Sequence, residues 1–191
     1  MTPLTADERN ELLSRARRAG AIALGIPPRF PAPPEPSGRL AEPGMCFVTW
    51  KRDGRLRGCI GSVEPVRPLW ADVEANAVHA LLRDPRFPAA TPDEFPRFRA
   101  DVSVLSPFVP VSDPLSAVEI GVHGLFVEMG RRSGLLLPQV AVDWGWDVPT
   151  FLGQACLKAG LPEDVWREDG SLATISTFTA EVFGETGEFV V

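Results

Sequence analysis

The sequence is poor in the residues that most often hold metals or carry protons. It contains three Cys, two His and no Tyr in 191 residues. Neither a CxxC nor an HExxH pattern is present, so we expect no zinc site built from this chain alone. The absence of Tyr excludes a tyrosine general acid, and the sequence indicates no particular cofactor.

Long apolar runs and an excess of positive charge are also missing. No run approaches the roughly 18 apolar residues that a membrane span needs. An odd number of Cys without an apolar leader predicts free thiols in a reducing cytoplasm. The formal net charge of -6 disfavours nucleic-acid binding, which needs a concentrated positive surface. A local basic patch is the least favoured alternative, and it would consist of Lys51, Arg52, Arg55 and Arg57.

Hydrophobic periodicity and turn residues predict an α+β fold with mainly antiparallel sheets. A capping box at residues 5–8 predicts a helix from about Thr5 to Gly20, and its arginines are expected on a solvated face. Seven prolines between residues 26 and 43 predict an extended connector. The other expected elements are a hairpin about Asp53-Gly54, helices over 68–83 and 147–160, and strands over 98–105, 124–127, 134–137 and 173–183.

The predicted hairpin gives a register that can be worked out from its two-residue turn. Trp50 would lie opposite Arg57, and Val48 opposite Cys59, because paired residues point to one face. Cys59 would then share a face with Arg55, Arg57 and Trp50. Guanidinium groups beside a thiol favour its negatively charged form, which is the nucleophilic one.

Two interpretations of this hairpin stay open. Trp50 could hold Arg57 by a cation-π contact, while Gly58 and Gly61 let a ligand approach Cys59 closely. Alternatively, Cys59 is a small buried side chain on a central strand, and the glycines serve a bulge. The spacing alone favours the second interpretation.

The segment Leu56–Gly61 reads LRGCIG, and it resembles the hexapeptide that marks the AMMECR domain family. Further segments resemble the family in its order along the chain, over roughly residues 8–185. They are Phe47–Thr49, Asn76–Ala77, Asp84–Phe87, Gly121–Leu125, Leu136–Ala141 and Lys158–Leu161.

This resemblance implies one domain over residues 1–191 with two lobes, the larger of which holds both termini. A cleft between the lobes is the expected place of Cys59. The family has no established biochemical activity. Its prokaryotic members are often encoded beside, or fused to, Memo-type and radical-SAM proteins, which are therefore the expected partners.

Three further residues are candidates for the site. His123 is the best partner for Cys59 if a Cys-His pair exists, although a hydrogen-bonded structural His at a strand start is favoured. Arg86 could bind a carboxylate or phosphate, but a structural turn with Asp84 is the better interpretation. Gln139 would place an amide in the cleft or satisfy a buried carbonyl. The remaining binding candidates are Trp50, Arg55, Gly58, Ile60 and Gly61.

Three functional hypotheses follow, and whether the chain is an enzyme is left open. The first is a protein or enzyme component that binds a small anionic molecule, with Cys59 as the reactive thiol. Arg57 would favour its negative charge or bind the substrate, and His123 would be its catalytic partner. The second is a non-catalytic partner subunit of a Memo-type or radical-SAM protein. The third and least favoured is nucleic-acid binding.

Overall fold

The structure is a computed structural model that describes residues 2–28, 32–167 and 172–185. Its elements in chain order are α1 (Ala6–Ala23), β1 (Met45–Arg52), β2 (Arg55–Gly61), α2 (Leu69–Leu82), β3 (Phe98–Leu105), β4 (Val109–Pro110), α3 (Pro114–Ala117), β5 (Gly124–Met129), β6 (Arg132–Leu136), α4 (Pro138–Trp144), α5 (Val148–Lys158), β7 (Thr174–Phe178) and β8 (Ala180–Gly184). Helices and two antiparallel four-stranded sheets confirm the predicted α+β class.

The chain divides into two compact units. The first unit combines Met1–Val104 with Glu181–Val191, and the second comprises Leu105–Ala180. In the described part of the chain no helix is long and apolar enough to cross a membrane.

The first unit is built on a sheet with the strand order β2-β1-β3-β8. Helix α2 packs on β1 and β2, and α1 packs against α2. The helices and the sheet bury an apolar core because each has one apolar face. Fully buried members of this core include Leu12, Trp50, Val73, Phe95 and Phe98.

Helix α1 begins with the predicted capping box. The Glu8 N–H donates to Thr5 Oγ1 at 3.3 Å, and Glu8 Oε2 accepts from the Thr5 N–H at 2.8 Å. The expected solvated face is wrong, because Arg15 and Arg17 are buried. Arg15 pairs with Glu74 at 3.1 Å, and Arg17 donates to the Phe98 carbonyl at 2.7 Å. A long guanidinium side chain can be buried where such acceptors meet it.

The proline-rich connector contains little regular structure in its described part. It includes one 3-10 turn at Gly38–Ala41 and an isolated bridge between Pro43 and Pro68. Residues 29–31 of the expected connector lie outside the described residues.

The second unit has a sheet with the strand order β4-β7-β5-β6, against which α5 packs through β5 and β6. Cys156 on α5 is fully buried in this core, as its helical spacing predicts. Helix α4, by contrast, occupies a segment where the sequence indicated no helix. It begins at Pro138, whose fixed φ suits a first helical turn.

The predicted last strand over 173–183 is wrong as a single strand. It divides at Thr179 into β7, which belongs to the second sheet, and β8, which belongs to the first. Thr179 bonds through its backbone N–H and C=O to Ser106, outside both ladders. Residue composition does not reveal where a strand changes its pairing partner.

Candidate functional site around Cys59

The observed register of the β1–β2 hairpin differs from the predicted one. Next to the turn Arg52 lies opposite Arg55, as expected, but farther along Trp50 lies opposite Gly58 and Thr49 opposite Cys59. The shift falls between Trp50 and Lys51 and leaves Arg57 as an unpaired bulge residue. Because side chains alternate with a period of two, a slip of one residue turns every later side chain to the other face. The predicted shared face of Cys59 and Trp50 is therefore wrong.

Trp50 lies in the core under α2 and has another cationic neighbour. Its Nε1 donates to the Ala77 carbonyl at 2.9 Å, and its side chain is fully buried. The guanidinium over its ring belongs to Arg17, at 5.1 Å from the centroid. The cation-π pair expected with Arg57 is replaced by this contact.

Arg57 is buried and held by acceptors away from the expected face. It donates to the Pro88 carbonyl at 2.9 Å and to Glu94 Oε2 at 3.1 Å, and it lies 5.7 Å from the ring centroid of the core residue Phe98. The hydrogen bond from Arg57 is the largest cause that lowers the pKa of Glu94. The charge of Arg57 is thus balanced by a carboxylate.

The backbone of Cys59 is held instead by a pair of side chains that follow α2. Strand β2 is an edge strand of its sheet, so one side of its backbone has no strand partner. The Cys59 N–H donates to Asp84 Oδ2 at 2.8 Å, and its carbonyl accepts from Arg86 Nη2 at 3.2 Å. Asp84 and Arg86 therefore close the strand edge at Cys59.

The pair between Asp84 and Arg86 is bidentate. Arg86 Nε donates to Oδ1 at 2.9 Å, and Nη2 donates to Oδ2 at 2.7 Å. These bonds are the largest cause that holds the pKa of Asp84 far below its usual range, against the opposing effect of burial; backbone N–H groups of Cys59 and Arg86 add to the lowering. The same pair raises the pKa of Arg86, to which the Cys59 side chain also contributes.

The Cys59 sulfur also receives a hydrogen bond across the hairpin. Thr49 Oγ1 donates to Cys59 Sγ at 3.2 Å. Both backbone groups of Cys59 point away from β1, so the pair is of the non-hydrogen-bonded kind, in which side chains come closest. Cys59 is half-buried, whereas Cys46 and Cys156 are buried, and all three are free thiols.

The two glycines beside Cys59 are required by the packing of the protein itself. A Cβ on Gly58 would lie 2.0 Å from the Ala80 carbonyl oxygen of α2, and one on Gly61 would lie 2.3 Å from the Phe47 ring. The neighbouring Ile60 is partly buried against the first core. The space that the glycines leave is therefore filled by α2 and Phe47.

A second polar cluster, around Cys46, was missed by the sequence analysis. The Asp72 Oδ2 atom accepts from the Cys46 N–H at 3.2 Å and from Asn76 Nδ2 at 3.0 Å, and Ser62 Oγ also donates to it. Asp72 and Asn76 are buried. The sequence signal that could have revealed this cluster is the spacing of Asp72 and Asn76, which lie four residues apart on a helix that packs on the hairpin.

The candidates His123 and Gln139 belong to the second unit. His123 Nδ1 accepts from the Glu119 N–H at 3.1 Å in the turn before β5, which agrees with the structural interpretation. Gln139 is a half-buried residue in the first turn of α4. A pairing of His123 with Cys59 stays a prediction, as does the cleft between lobes.

Within residues 2–28, 32–167 and 172–185, no group of three or more His, Cys, Asp or Glu side chains is arranged to hold a metal ion. The site around Cys59 therefore consists of a thiol, a hydroxyl and an ion pair. It can bind an anion or present a nucleophile.

Comparison with known proteins agrees with this architecture. A crystal structure of an uncharacterized protein from Pyrococcus horikoshii superimposes with a TM-score of 0.87 and 36% sequence identity, over 97% of this chain and 95% of that chain. Both are α+β proteins of one fold. A protein from Methanothermobacter thermautotrophicus is 40% identical over 190 residues, which cover 97% of this chain and 98% of that protein.

Sequence similarity also defines the family. A protein from Methanopyrus kandleri is 46% identical over 190 residues, covering 95% of this chain and 90% of that protein. The family model described as AMMECR1 matches residues 15–183. The chain belongs to the AMMECR1 family.

Proposed function

We propose that this protein binds a small anionic molecule beside Cys59 and is an enzyme component in which the Cys59 thiol is the reactive group. The observation that supports this most is the guanidinium of Arg86, which Asp84 fixes against the Cys59 backbone. The proposal replaces Arg57 by Arg86 as the cation beside the thiol. Thr49 is added as a hydroxyl partner of the sulfur.

Arg86 has the remaining capacity to bind an anion. Its Nε and Nη2 are used by Asp84 and by the Cys59 carbonyl, whereas Nη1 makes no hydrogen bond to any residue that the structure describes. The side chain is 55% exposed. A guanidinium that is already oriented by a carboxylate loses little freedom when a ligand carboxylate or phosphate binds to it.

Cys59 is also the most accessible of the three thiols. Burial raises the pKa of both Cys46 and Cys156, so these two stay protonated and inert at neutral pH. Cys59 is half-buried, and its sulfur accepts a hydrogen bond from Thr49 and interacts electrostatically with Arg86.

Alkylation with iodoacetamide and iodoacetate tests the proposal, because the two reagents differ mainly in charge. We expect Cys59 to be labelled well before Cys46 and Cys156 in the folded protein, as followed by peptide mass spectrometry. If Arg86 attracts the anionic reagent, then R86Q lowers the ratio of the iodoacetate rate to the iodoacetamide rate about tenfold, the effect of losing one hydrogen bond to a charged group.

The variant R83Q is the matched control, because Arg83 is an exposed arginine next to the same segment. It should leave the ratio of the two rates unchanged. Labelling of Cys59 no faster than that of Cys46 and Cys156 would contradict its role as reactive thiol. An unchanged ratio in R86Q would contradict anion binding by Arg86.

A further inference from the structure

The tip of the β1–β2 hairpin borders a cavity of about 580 Å³. Its volume lies within the range of about 300–1,000 Å³ that is usual for small-molecule sites. Neither Cys59 nor Arg86 lines it. The lining residues are Arg52, Asp53, Arg55, Leu56, Arg57, Phe87, Pro88 and Glu94.

Two arginines that line this tip cavity lie opposite each other on the hairpin. Arg52 and Arg55 are directly opposite on the two sides of the turn, an arrangement that destabilises a hairpin when the charges are alike. Arg52 is partly compensated by Glu94, with Nη1 and Oε1 2.5 Å apart. Arg55 is exposed, and it makes no hydrogen bond or ion pair with the described part of the chain.

The lining of the tip cavity includes the ion pair between Arg57 and Glu94. Arg57 is buried and donates to both Glu94 and the Pro88 carbonyl. Glu94 thus pairs with two arginines, Arg52 and Arg57, while Arg55 pairs with no carboxylate in the described part of the chain.

The lining of the tip cavity carries an excess of two positive charges. Three guanidiniums stand against the single carboxylate of Glu94, which leaves two, and Asp53 is matched by its ion pair with Arg97. This surplus lies in a chain whose formal net charge is -6.

We propose that the tip cavity binds a small-molecule phosphate monoester that carries a flat apolar group. A phosphate monoester has a charge of about -1.5 to -2 at neutral pH, which matches the surplus of two positive charges in the lining. Arg55 and the free N–H groups of Arg52 bind its oxygens. Phe87, Pro88 and the exposed Leu56 supply apolar surface for the organic group.

This site goes beyond the proposed function at Cys59, since it uses other residues and needs no thiol. The two proposed sites lie near each other, beside Phe87. The Phe87 ring centroid lies 5.9 Å from the guanidinium carbon of Arg57 and 5.6 Å from that of Arg86.

Calorimetric titration of the full chain with phenyl phosphate tests the proposal. We expect saturable binding of phenyl phosphate, binding of benzoate that is weaker by about tenfold or more because it carries one charge less, and none of neutral phenol. R55A should weaken the binding of phenyl phosphate about tenfold, as the loss of hydrogen bonds to a charged group requires. R55E should abolish it.

The two Arg55 variants should fold as the wild type does, because Arg55 is exposed and has no partner in the described part of the chain. Urea unfolding of both variants checks this expectation. R131A is the matched control, since Arg131 is an exposed arginine at the turn of the β5–β6 hairpin and does not line the cavity. Equal affinity of R55A and wild type for phenyl phosphate, or absence of saturable binding, would overturn the proposal.

Discussion

Cys46 and Cys59 lie on the two strands of one hairpin. Both are bonded to an aspartate through the backbone N–H, but Cys46 is buried and Cys59 is half-buried. Each donates its backbone N–H to the Oδ2 atom of an aspartate, Cys46 to Asp72 at 3.2 Å and Cys59 to Asp84 at 2.8 Å. Both aspartates are buried. The difference between the two sites therefore comes from the other partners of each carboxylate.

At Cys46 the carboxylate faces the thiol itself. The sulfur lies 3.3 Å from Asp72 Oδ2, and the pKa of Cys46 is raised well above its ordinary value, first by burial and then by the charge of Asp72. At Cys59 the charge of Asp84 is matched by Arg86, and the sulfur accepts from Thr49. Each carboxylate has a cation, Arg67 at 3.3 Å from Asp72 and Arg86 at 2.7 Å from Asp84. The two sites therefore differ in what the carboxylate contacts, which is the sulfur itself at Cys46 and the backbone N–H at Cys59.

The two aspartates also differ in how much of the fold depends on them. Asp72 accepts from the backbone of β1, from Ser62 after β2 and from Asn76 on its own helix. It therefore fastens α2 to the end of the hairpin. Asp84 contacts one residue of the edge strand and a half-exposed arginine.

The largest expected effect is on stability and comes from Asp72. D72A leaves the Cys46 N–H and the Ser62 hydroxyl without their acceptor and removes the ion-pair partner of Arg67. We therefore expect a loss of about 3–4 kcal/mol in the free energy of unfolding. D84A removes the acceptor of two backbone N–H groups, those of Cys59 and Arg86, at a half-exposed strand edge, and it releases the Arg86 side chain to solvent. We therefore expect a smaller loss of about 1–2 kcal/mol.

Urea unfolding followed by circular dichroism measures both losses. D143A, at an exposed aspartate of α4, is the control and should stay within about 0.5 kcal/mol of the wild type. Equal losses in D72A and D84A would remove the distinction between the two carboxylates.

A smaller effect is expected in acid and concerns Asp84. Its pKa in the folded protein is far below its usual range, chiefly because of Arg86, while in the unfolded chain it is about 3.9. The stability that this difference contributes is fully present above the unfolded pKa and is lost as the pH falls toward the folded one. We therefore expect wild type to lose stability below about pH 4, and D84N to lose less over the same interval.

Urea midpoints measured from pH 7 down to the acid limit check this expectation. The variant D143N is the control and should follow the wild type. A D84N curve parallel to that of the wild type below the unfolded pKa would contradict the contribution of the Asp84–Arg86 pair.

Much of the fold could be predicted from local signals, because these signals act over short stretches of chain. The capping box at Thr5 and the Asp53-Gly54 turn depend on neighbours within a few residues, and both were confirmed. Strand β3 was confirmed with its bounds at Phe98 and Leu105. The division at Thr179 was not predicted, because strand pairing depends on distant residues.

The candidate site was predicted in part. One feature, the bulge at Arg57, accounts for most of the difference between the predicted and the observed neighbours of Cys59. The hexapeptide directed attention to Cys59, but the bulge at Arg57 moved that residue away from the face of Cys59. A bulge depends on what packs against the strand, here the α2 backbone against Gly58, so strand sequence alone does not fix it. The segment at Asp84 and Arg86 was recognised as an ion-paired turn, but its contact with Cys59 spans 25 residues.

The smallest expected effect concerns the hydrogen bond between Thr49 and the Cys59 sulfur. T49V keeps the shape of the side chain and removes the donor, so the folded protein should stay within about 0.5 kcal/mol of the wild type in stability. Iodoacetamide labelling of Cys59 should slow about fivefold, which corresponds to one hydrogen bond of ordinary net strength. T49S retains the hydroxyl and should label at nearly the wild-type rate. If T49V labels as fast as T49S, the hydroxyl does not contribute, and the contrast between Cys46 and Cys59 depends on burial and on Arg86 alone.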